Sequence, residues 1–302
     1  MYTKILVPLD GSATAENVLP LARNFARALQ IPVELLAVVD IADMARHGPP
    51  SEPSMIRSIV DDASRRFDDY LERVAKNFLA GKAQCTVHRG NAAEAIIEVA
   101  AADKQTLIAM ATHGRSGLDR WLLGSVAEKV LRGASNPTLV VRAKKEHNPA
   151  WEMATLTRVI VPLDGSELSA RILPHVEALA KHLDLEVTLF GVYRGSLPAG
   201  ASGDDFHGRD AFVAGRRNET VTYLSLKAEE MKQRGLDKVS FTAKEGLEAD
   251  EIIKAARETL DTLIAMCTHG RSGVRRWMLG SVTETVVRHS DNPVLVVRAV
   301  DR

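Results

Sequence analysis

Two stretches of this 302-residue chain are near copies of each other, and that repetition limits its folds more than any other feature. Residues 112–143 read THGRSGLDRWLLGSVAEKVLRGASNPTLVVRA and residues 268–299 read THGRSGVRRWMLGSVTETVVRHSDNPVLVVRA, identical at 22 of 32 positions. The opening segment repeats too, with 3–20 (TKILVPLDGSATAENVLP) matching 157–174 (TRVIVPLDGSELSARILP) at an offset of 154, whereas the later block runs at 156. Whatever fold one copy adopts, the other must share. Each copy has about 150 residues, enough to bury a core of its own. The two extra residues of the second copy fall between its second and third strand candidates, in a connecting loop where insertions cost little. The expected division is a first module at 1–143, a linker at 144–156 (KKEHNPAWEMATL, polar and carrying Pro149), and a second module at 157–302.

Within each copy short apolar runs alternate with amphipathic segments. The strand candidates are 4–7, 33–39, 84–88, 107–111 and 138–142, then 158–161, 186–192, 238–243, 263–267 and 294–298. Several are continuously apolar, as parallel strands covered on both faces must be. Val18, Ala22, Phe25, Ala26 and Leu29 share one helical face, as do Ile172, Val176, Leu179, Ala180 and Leu183. A second helix carries Phe67, Tyr70, Leu71, Val74 and Phe78, matched loosely by Val221, Leu224, Ala228 and Met231, and shorter helices are expected near 93–101 and 249–258. Five strands separated by helices predict an α/β fold, a doubly wound five-stranded parallel-sheet sandwich in each half. Segments 42–54 and 194–218, rich in Gly, Pro, Asp and Ser, read as loops at the carboxyl ends of the second strands.

Composition removes several function classes. Lys plus Arg and Asp plus Glu both number 39, so the formal net charge is zero and the basic footprint of a nucleic-acid binder is missing. Cys85 and Cys267 stand at non-equivalent places, which offers neither a disulfide framework nor a zinc cluster. The N-terminal apolar run, 5–9, is broken by Pro8 and too short for a signal peptide or membrane span. The expectation is a soluble cytoplasmic protein.

The chemistry concentrates after the fourth strand of each copy. Ala111-Thr-His113-Gly114-Arg-Ser-Gly runs on to Gly124-Ser125, where Ser125-Val126-Ala-Glu128 reads as a capping box; Cys267, His269, Gly270, Gly280, Ser281 and Val282 repeat the pattern. Glycines let a backbone approach a ligand, and free N–H groups at a helix start attract anions. A tight, ligand-free loop with a good cap is the plain alternative. Position favours the ligand, because open parallel sheets bind beyond the carboxyl ends of their strands at the topological switch point. The first strands end there too, in Pro8-Leu-Asp10-Gly-Ser12 and Pro162-Leu-Asp164-Gly-Ser166. Asp10 and Asp164 suit ribose hydroxyls or a phosphate-bound Mg²⁺, or else cap their first helices. His113 and His269 suit a loop-fixing hydrogen bond better than a general base or phosphate ligand. Arg115 and Arg271 suit either phosphate or solvent, Cys267 a small packing residue rather than a redox thiol, and Trp121 and Trp277 packing anchors.

With these motifs the chain resembles a tandem universal stress protein over essentially both halves. The resemblance implies strand order 3-2-1-4-5 in each module. ATP-binding members carry G-x2-G-x9-G-[ST] after the fourth strand; the second glycine falls on Gly114 and Gly270, the third on Gly124 and Gly280, and the hydroxyl on Ser125 and Ser281. The first glycine is replaced by Ala111 and Cys267. The resemblance further implies that Pro8, Asp10, Val38, Met110, His113 and Val126, with Pro162, Asp164, Val192, Met266, His269 and Val282, border an adenine nucleotide, ATP or a relative of it, with or without Mg²⁺. It implies antiparallel pairing of the last strands, 137–143 and 293–299, giving an intramolecular pseudo-dimer, with a homodimer as a further assembly. The expected function is an ATP-binding stress-response module that regulates rather than catalyses. A slow ATP-hydrolysing or adenylating enzyme is the rival, although the chain has no SGGxDS, HxGH or Walker A motif. An interaction protein with vestigial pockets is the third reading.

Overall fold

The structure, a computed structural model, describes residues 2–40, 53–78, 83–112, 123–142, 155–195, 206–259, 261–268 and 279–298. The chain forms two compact units, Met1–Ala154 and Thr155–Arg302. The expected linker at 144–156 lies outside the described residues except for its last two.

The first unit runs β1 (Lys4–Pro8), α1 (Ala13–Glu16), α2 (Leu19–Leu29), β2 (Val33–Val39), α3 (Pro53–Ala75), β3 (Ala83–Arg89), α4 (Ala92–Ala101), β4 (Thr106–Ala111), α5 (Ser125–Gly133) and β5 (Thr138–Val141). Its strands lie in the order β3-β2-β1-β4-β5, all parallel. The second unit runs β6 (Arg158–Pro162), α6 (Glu167–Ala170), α7 (Leu173–Leu183), β7 (Glu186–Tyr193), α8 (Phe206–Gln233), β8 (Val239–Glu245), α9 (Glu248–Arg257), β9 (Thr262–Cys267), α10 (Ser281–His289) and β10 (Val294–Val297). Its order is β8-β7-β6-β9-β10, again parallel. Both are the doubly wound sheets that the alternating pattern predicts.

Burial explains why the central strands are unbroken apolar runs. Neighbouring residues of a strand face opposite sides of the sheet, yet Ile5, Leu6 and Val7 are all buried, as are Leu107, Ile108 and Ala109. Both faces are therefore covered. The outer strand β3 (AQCTVHR) has no fully buried residue and is correspondingly polar. Helix α2 turns Leu21, Ala22 and Phe25 into the core, and α7 turns Val176, Leu179 and Ala180. In α8 Leu224, Ala228 and Met231 are buried at helical spacing. A Cβ at Gly191 in β7 would overlap the Thr220 side chain, so the glycine lets α8 lie close to the sheet.

One expected loop is corrected. Helix α8 begins at Phe206, so the second half of 194–218 is helical despite Gly208 and Gly215. Each glycine costs a helix about 1 kcal/mol, which a 28-residue helix packed on β7 and β8 can absorb. The expected loop at 42–54 falls outside the described residues up to Pro53, where α3 starts.

Each unit also carries a buried asparagine just before its last strand. Asn136 Nδ2 donates to the carbonyls of Ala100, Asp103 and Thr106 at 3.0, 2.9 and 3.2 Å. Asn292 Nδ2 does the same to Thr259 and Thr262 at 3.0 and 3.2 Å. These amides clamp the turn that feeds β4 or β9, and so set where those strands begin.

Candidate functional site

Strand pairing defines the site before any side chain is considered. β1 stays paired with β2 as far as Pro8 opposite Leu36, and β4 with β5 as far as Ala111 opposite Val141. Pairing of β1 with β4 stops earlier, at Leu6 opposite Ile108. Beyond that point each strand follows its outer neighbour, which is the topological switch point where open sheets admit ligands. The second unit repeats this: β6 follows β7 to Pro162 and β9 follows β10 to Cys267, while β6 and β9 part after Ile160 and Ile264.

The loop after β1 supplies one wall. Gly11 at φ 81° and Gly165 at φ 86° make left-handed turns that other residues resist. Asp10 Oδ1 then accepts from both the N–H and the hydroxyl of Ser12, at 3.0 and 2.6 Å, and Ser12 Oγ accepts from the Ala15 N–H at 3.1 Å. Asp164, Ser166 and Ser169 reproduce these contacts at 3.0, 2.6 and 3.1 Å. The helix cap is thus the serine and not the aspartate. Asp10 and Asp164 instead orient their capping serines, which fixes a carboxylate at the end of each first strand.

The loop after β4 supplies the other wall. Thr112 N–H donates to Val141 O at 2.8 Å, and Gly124 N–H donates to Thr112 O at 2.9 Å. In the second unit Thr268 N–H reaches Val297 O at 2.9 Å and Gly280 N–H reaches Thr268 O at 2.8 Å. Each glycine loop therefore leaves and returns at two residues bonded to each other. This overturns the capping box. The cap position is Gly124 (φ −60°, ψ 147°) or Gly280 (φ −60°, ψ 145°), and Ser125 and Ser281 are the first helical residues. Glu128 and Glu284 donate their N–H groups to Gly124 O and Gly280 O at 2.9 and 2.8 Å, while their carboxylates pair with Arg132 and Arg288. The first-turn N–H groups of Ser125, Val126 and Ala127, and of Ser281, Val282 and Thr283, have no acceptor within their helices. They form a donor cluster at the positive end of the helix dipole.

Ala111 and Cys267 close the strand ends. Among the described residues, the non-glycine residues with positive φ are Gln30 and Asp184, so the absent first glycine is not required by backbone conformation. Cys267 is buried, and burial pushes its thiol up to about 12, only partly offset by the Ile172 N–H. It is a packing residue. The equivalent units differ nearby: Thr283 Oγ1 donates to Cys267 O at 2.9 Å, where the first unit has Ala127.

Of the other expected residues, Pro8 and Pro162 end β1 and β6, Val38 and Val192 lie half-buried near the ends of β2 and β7, and Met110 and Met266 are buried next to the strand ends. Val126 and Val282 are the half-buried second residues of α5 and α10. His113, Gly114, Arg115 and Trp121, with His269, Gly270, Arg271 and Trp277, lie outside the described residues. Sequence reasoning placed Tyr70 only on a helix face and passed over Tyr223, yet both tyrosines stand beside the first-strand loops. Tyr70 Oη donates to Glu16 Oε1 at 2.9 Å. The Tyr223 phenol is pushed up by burial and then by Glu167, with Asp164 adding to it. Neither has a signal in the repeat, because they occupy different positions of α3 and α8. Among the described residues no helix is long and apolar enough to cross a membrane, and no group of three His, Cys, Asp or Glu side chains is placed to hold a metal ion.

Comparison with known proteins agrees with this architecture. The profile of the Universal stress protein family matches twice, over residues 1–142 and 155–298. A universal stress protein of Methanocaldococcus jannaschii, MJ0531, is 33% identical over 148 residues, covering 48% of this chain and 85% of its own. One from Mycolicibacterium smegmatis is 24% identical over 305 residues, covering 97% of this chain and 96% of its own. The crystal structure of a universal stress protein from Archaeoglobus fulgidus superposes with a TM-score of 0.70 at 22% identity, covering 98% of both chains, which establishes likeness of fold.

Proposed function

Since the chain belongs to the universal stress protein family, in tandem form, we propose that each module binds an adenine nucleotide, ATP foremost, and works as a regulatory binding module in the stress response. The observation that carries this reading is convergence at one switch point. A serine-held carboxylate stands at one strand end, and a helix start with three N–H groups lacking helical acceptors stands at the next. The residues fit the ligand. Ser125, Val126 and their counterparts Ser281 and Val282 would meet phosphate with Gly124 and Gly280 beside them, as anions are met at helix starts. Asp10 and Asp164, next to Pro8 and Pro162, would take ribose hydroxyls. Backbone at Val38 and Val192, beside Met110 and Met266, would border the base. His113, Gly114, His269 and Gly270 complete the proposed set, with Ala111 and Cys267 standing where the ATP-binding motif has its first glycine.

Mg²⁺ would enter with the phosphates, since such ions keep waters and take only one or two carboxylates from the protein. Nucleotide occupancy would change the surface offered to a partner, a known form of switching. Pairing of the modules through 137–143 and 293–299 belongs to the same proposal and rests on their duplicated apolar NPxLVVRA sequences, which as bare edges would invite aggregation. So does a reducing, cytoplasmic setting, supported by two free cysteines.

Replacing both Gly124 and Gly280 by valine tests the site. Their φ and ψ suit any residue, so the side chains enter without backbone strain. ATP affinity should fall by at least about tenfold in calorimetry with secondary structure retained, since a misplaced phosphate forfeits charge-assisted bonds of about 1.5–3 kcal/mol. Unchanged affinity would overturn the proposed site. ATP turnover well above about 1 s⁻¹, an ordinary enzyme rate, would favour the enzymatic alternative.

A further inference from the structure

The two sites differ at the point where the strand end meets the helix start. In the second unit Thr283, the third residue of α10 and 3% exposed, donates its hydroxyl to Cys267 O at 2.9 Å, with a longer contact of 3.5 Å to Thr268 O. Gly280 N–H also reaches Thr268 O, at 2.8 Å. The end of β9 and the start of α10 are thus tied twice, by backbone from Gly280 to Thr268 and by side chain from Thr283 to Cys267. The buried Cys267 thiol also faces the Ile172 N–H just before α7. In the first unit Ala127 and Ala111 hold the matching places and can make neither side-chain bond, leaving the backbone tie from Gly124 to Thr112.

These ties matter because the Thr283 N–H belongs to the donor cluster proposed to meet phosphate. A site held in its binding arrangement before the ligand arrives loses less affinity to its unproductive conformations. We infer that the two nucleotide sites are unequal and that Thr283 is a positioning residue that makes the second module the tighter one. This rests on the nucleotide reading above. One such bond, expressed through the fraction of sites already in the binding arrangement, amounts to roughly a three- to tenfold difference in affinity.

The full-length chain tests this by ATP titration calorimetry in two backgrounds. Gly124→Val leaves the second site to be read alone, and Gly280→Val the first. The second site should bind about three- to tenfold more tightly. Thr283→Val, which keeps the shape and removes the hydroxyl, should erase that advantage, while Thr283→Ser should retain most of it. Ala127→Thr should tighten the first site, a gain that misfolding cannot imitate. Equal affinities in the two backgrounds would overturn the inference, as would a Thr283→Val site indistinguishable from the parent. If Thr283→Val fails to fold, the serine variant and Ala127→Thr decide the matter: a serine site no tighter than the first, or an Ala127→Thr site no tighter than its parent, overturns it. Absence of ATP binding in the otherwise unaltered chain would overturn the nucleotide reading itself, and this inference with it.

Discussion

Asn136 is the most telling single residue for the account of how each unit enters its fourth strand. Its amide has two protons and serves three carbonyls, those of Ala100, Asp103 and Thr106. Two of these have other donors, since Asp103 N–H reaches Ala100 O at 3.2 Å and Thr106 N–H reaches Asp103 O at 2.9 Å. Asn136→Ala therefore removes two hydrogen bonds of about 1 kcal/mol each and leaves the Thr106 carbonyl short of a donor at about 1 kcal/mol more. The small cavity adds to this, so the expected loss is about 2–4 kcal/mol. Urea denaturation gives the total. Hydrogen exchange read by mass spectrometry should localise the loosening to 100–111, with the second unit unaffected. Asn136→Asp makes a sharper test, because an ionised carboxylate can only accept and would face three carbonyls. Its folded-state pKa would rise, so the variant should lose stability as pH increases through that value and recover in acid, where the protonated group donates. A loss under about 0.5 kcal/mol for Asn136→Ala, well below one such bond, or a pH-independent Asn136→Asp, would refute the reasoning.

Two further outcomes follow from burial. Cys267, buried and with its thiol pushed up to about 12, should resist iodoacetamide until the chain unfolds, whereas the exposed Cys85 should be alkylated in the native protein. The Cys85 thiol is pushed up, by partial desolvation first and then by the charges of Glu72 and Asp68, so its labelling should be slow at neutral pH and accelerate as pH rises; peptide mapping reads both sites. His175 is held below its ordinary value of 6.5 by burial, at the place occupied by Leu21 in the first unit. As pH falls below about 6.5 the unfolded chain takes up the proton before the folded one does, so stability is lost on acidification. His175→Leu should flatten that dependence below about pH 6.5 in thermal melts; an unaltered slope would refute the assignment.

The fold was legible because its strands are written as unbroken apolar runs and are written twice. Expected strand ends differ from the observed ones by no more than a residue or two, as with 107–111 against Thr106–Ala111. The switch point was legible as well, since Pro8-Leu-Asp10 and the glycine loop mark two neighbouring strand ends. What local pattern misassigned were the caps. Ser125 with Glu128 satisfies the capping-box spacing, yet the bond from Gly124 to Thr112, made across the intervening loop, holds the glycine extended and moves the helix start by one residue. Asp10 and Ser12 are both good caps, and only the left-handed turn at Gly11 decides that the serine takes the role. Thr283 against Ala127 was plainly a difference between the copies. Its meaning depended on the distance from its hydroxyl to Cys267 O, which no spacing rule contains.

The central claim is that the paired switch points hold adenine nucleotide. Protein purified without added nucleotide should be denatured, and the released adenine nucleotide counted per chain by chromatography and mass spectrometry, followed by titration of the nucleotide-free chain with ATP and Mg²⁺. One or two equivalents per chain, released or bound on titration, is the predicted result. No nucleotide released, and none bound at millimolar ATP, would contradict the claim.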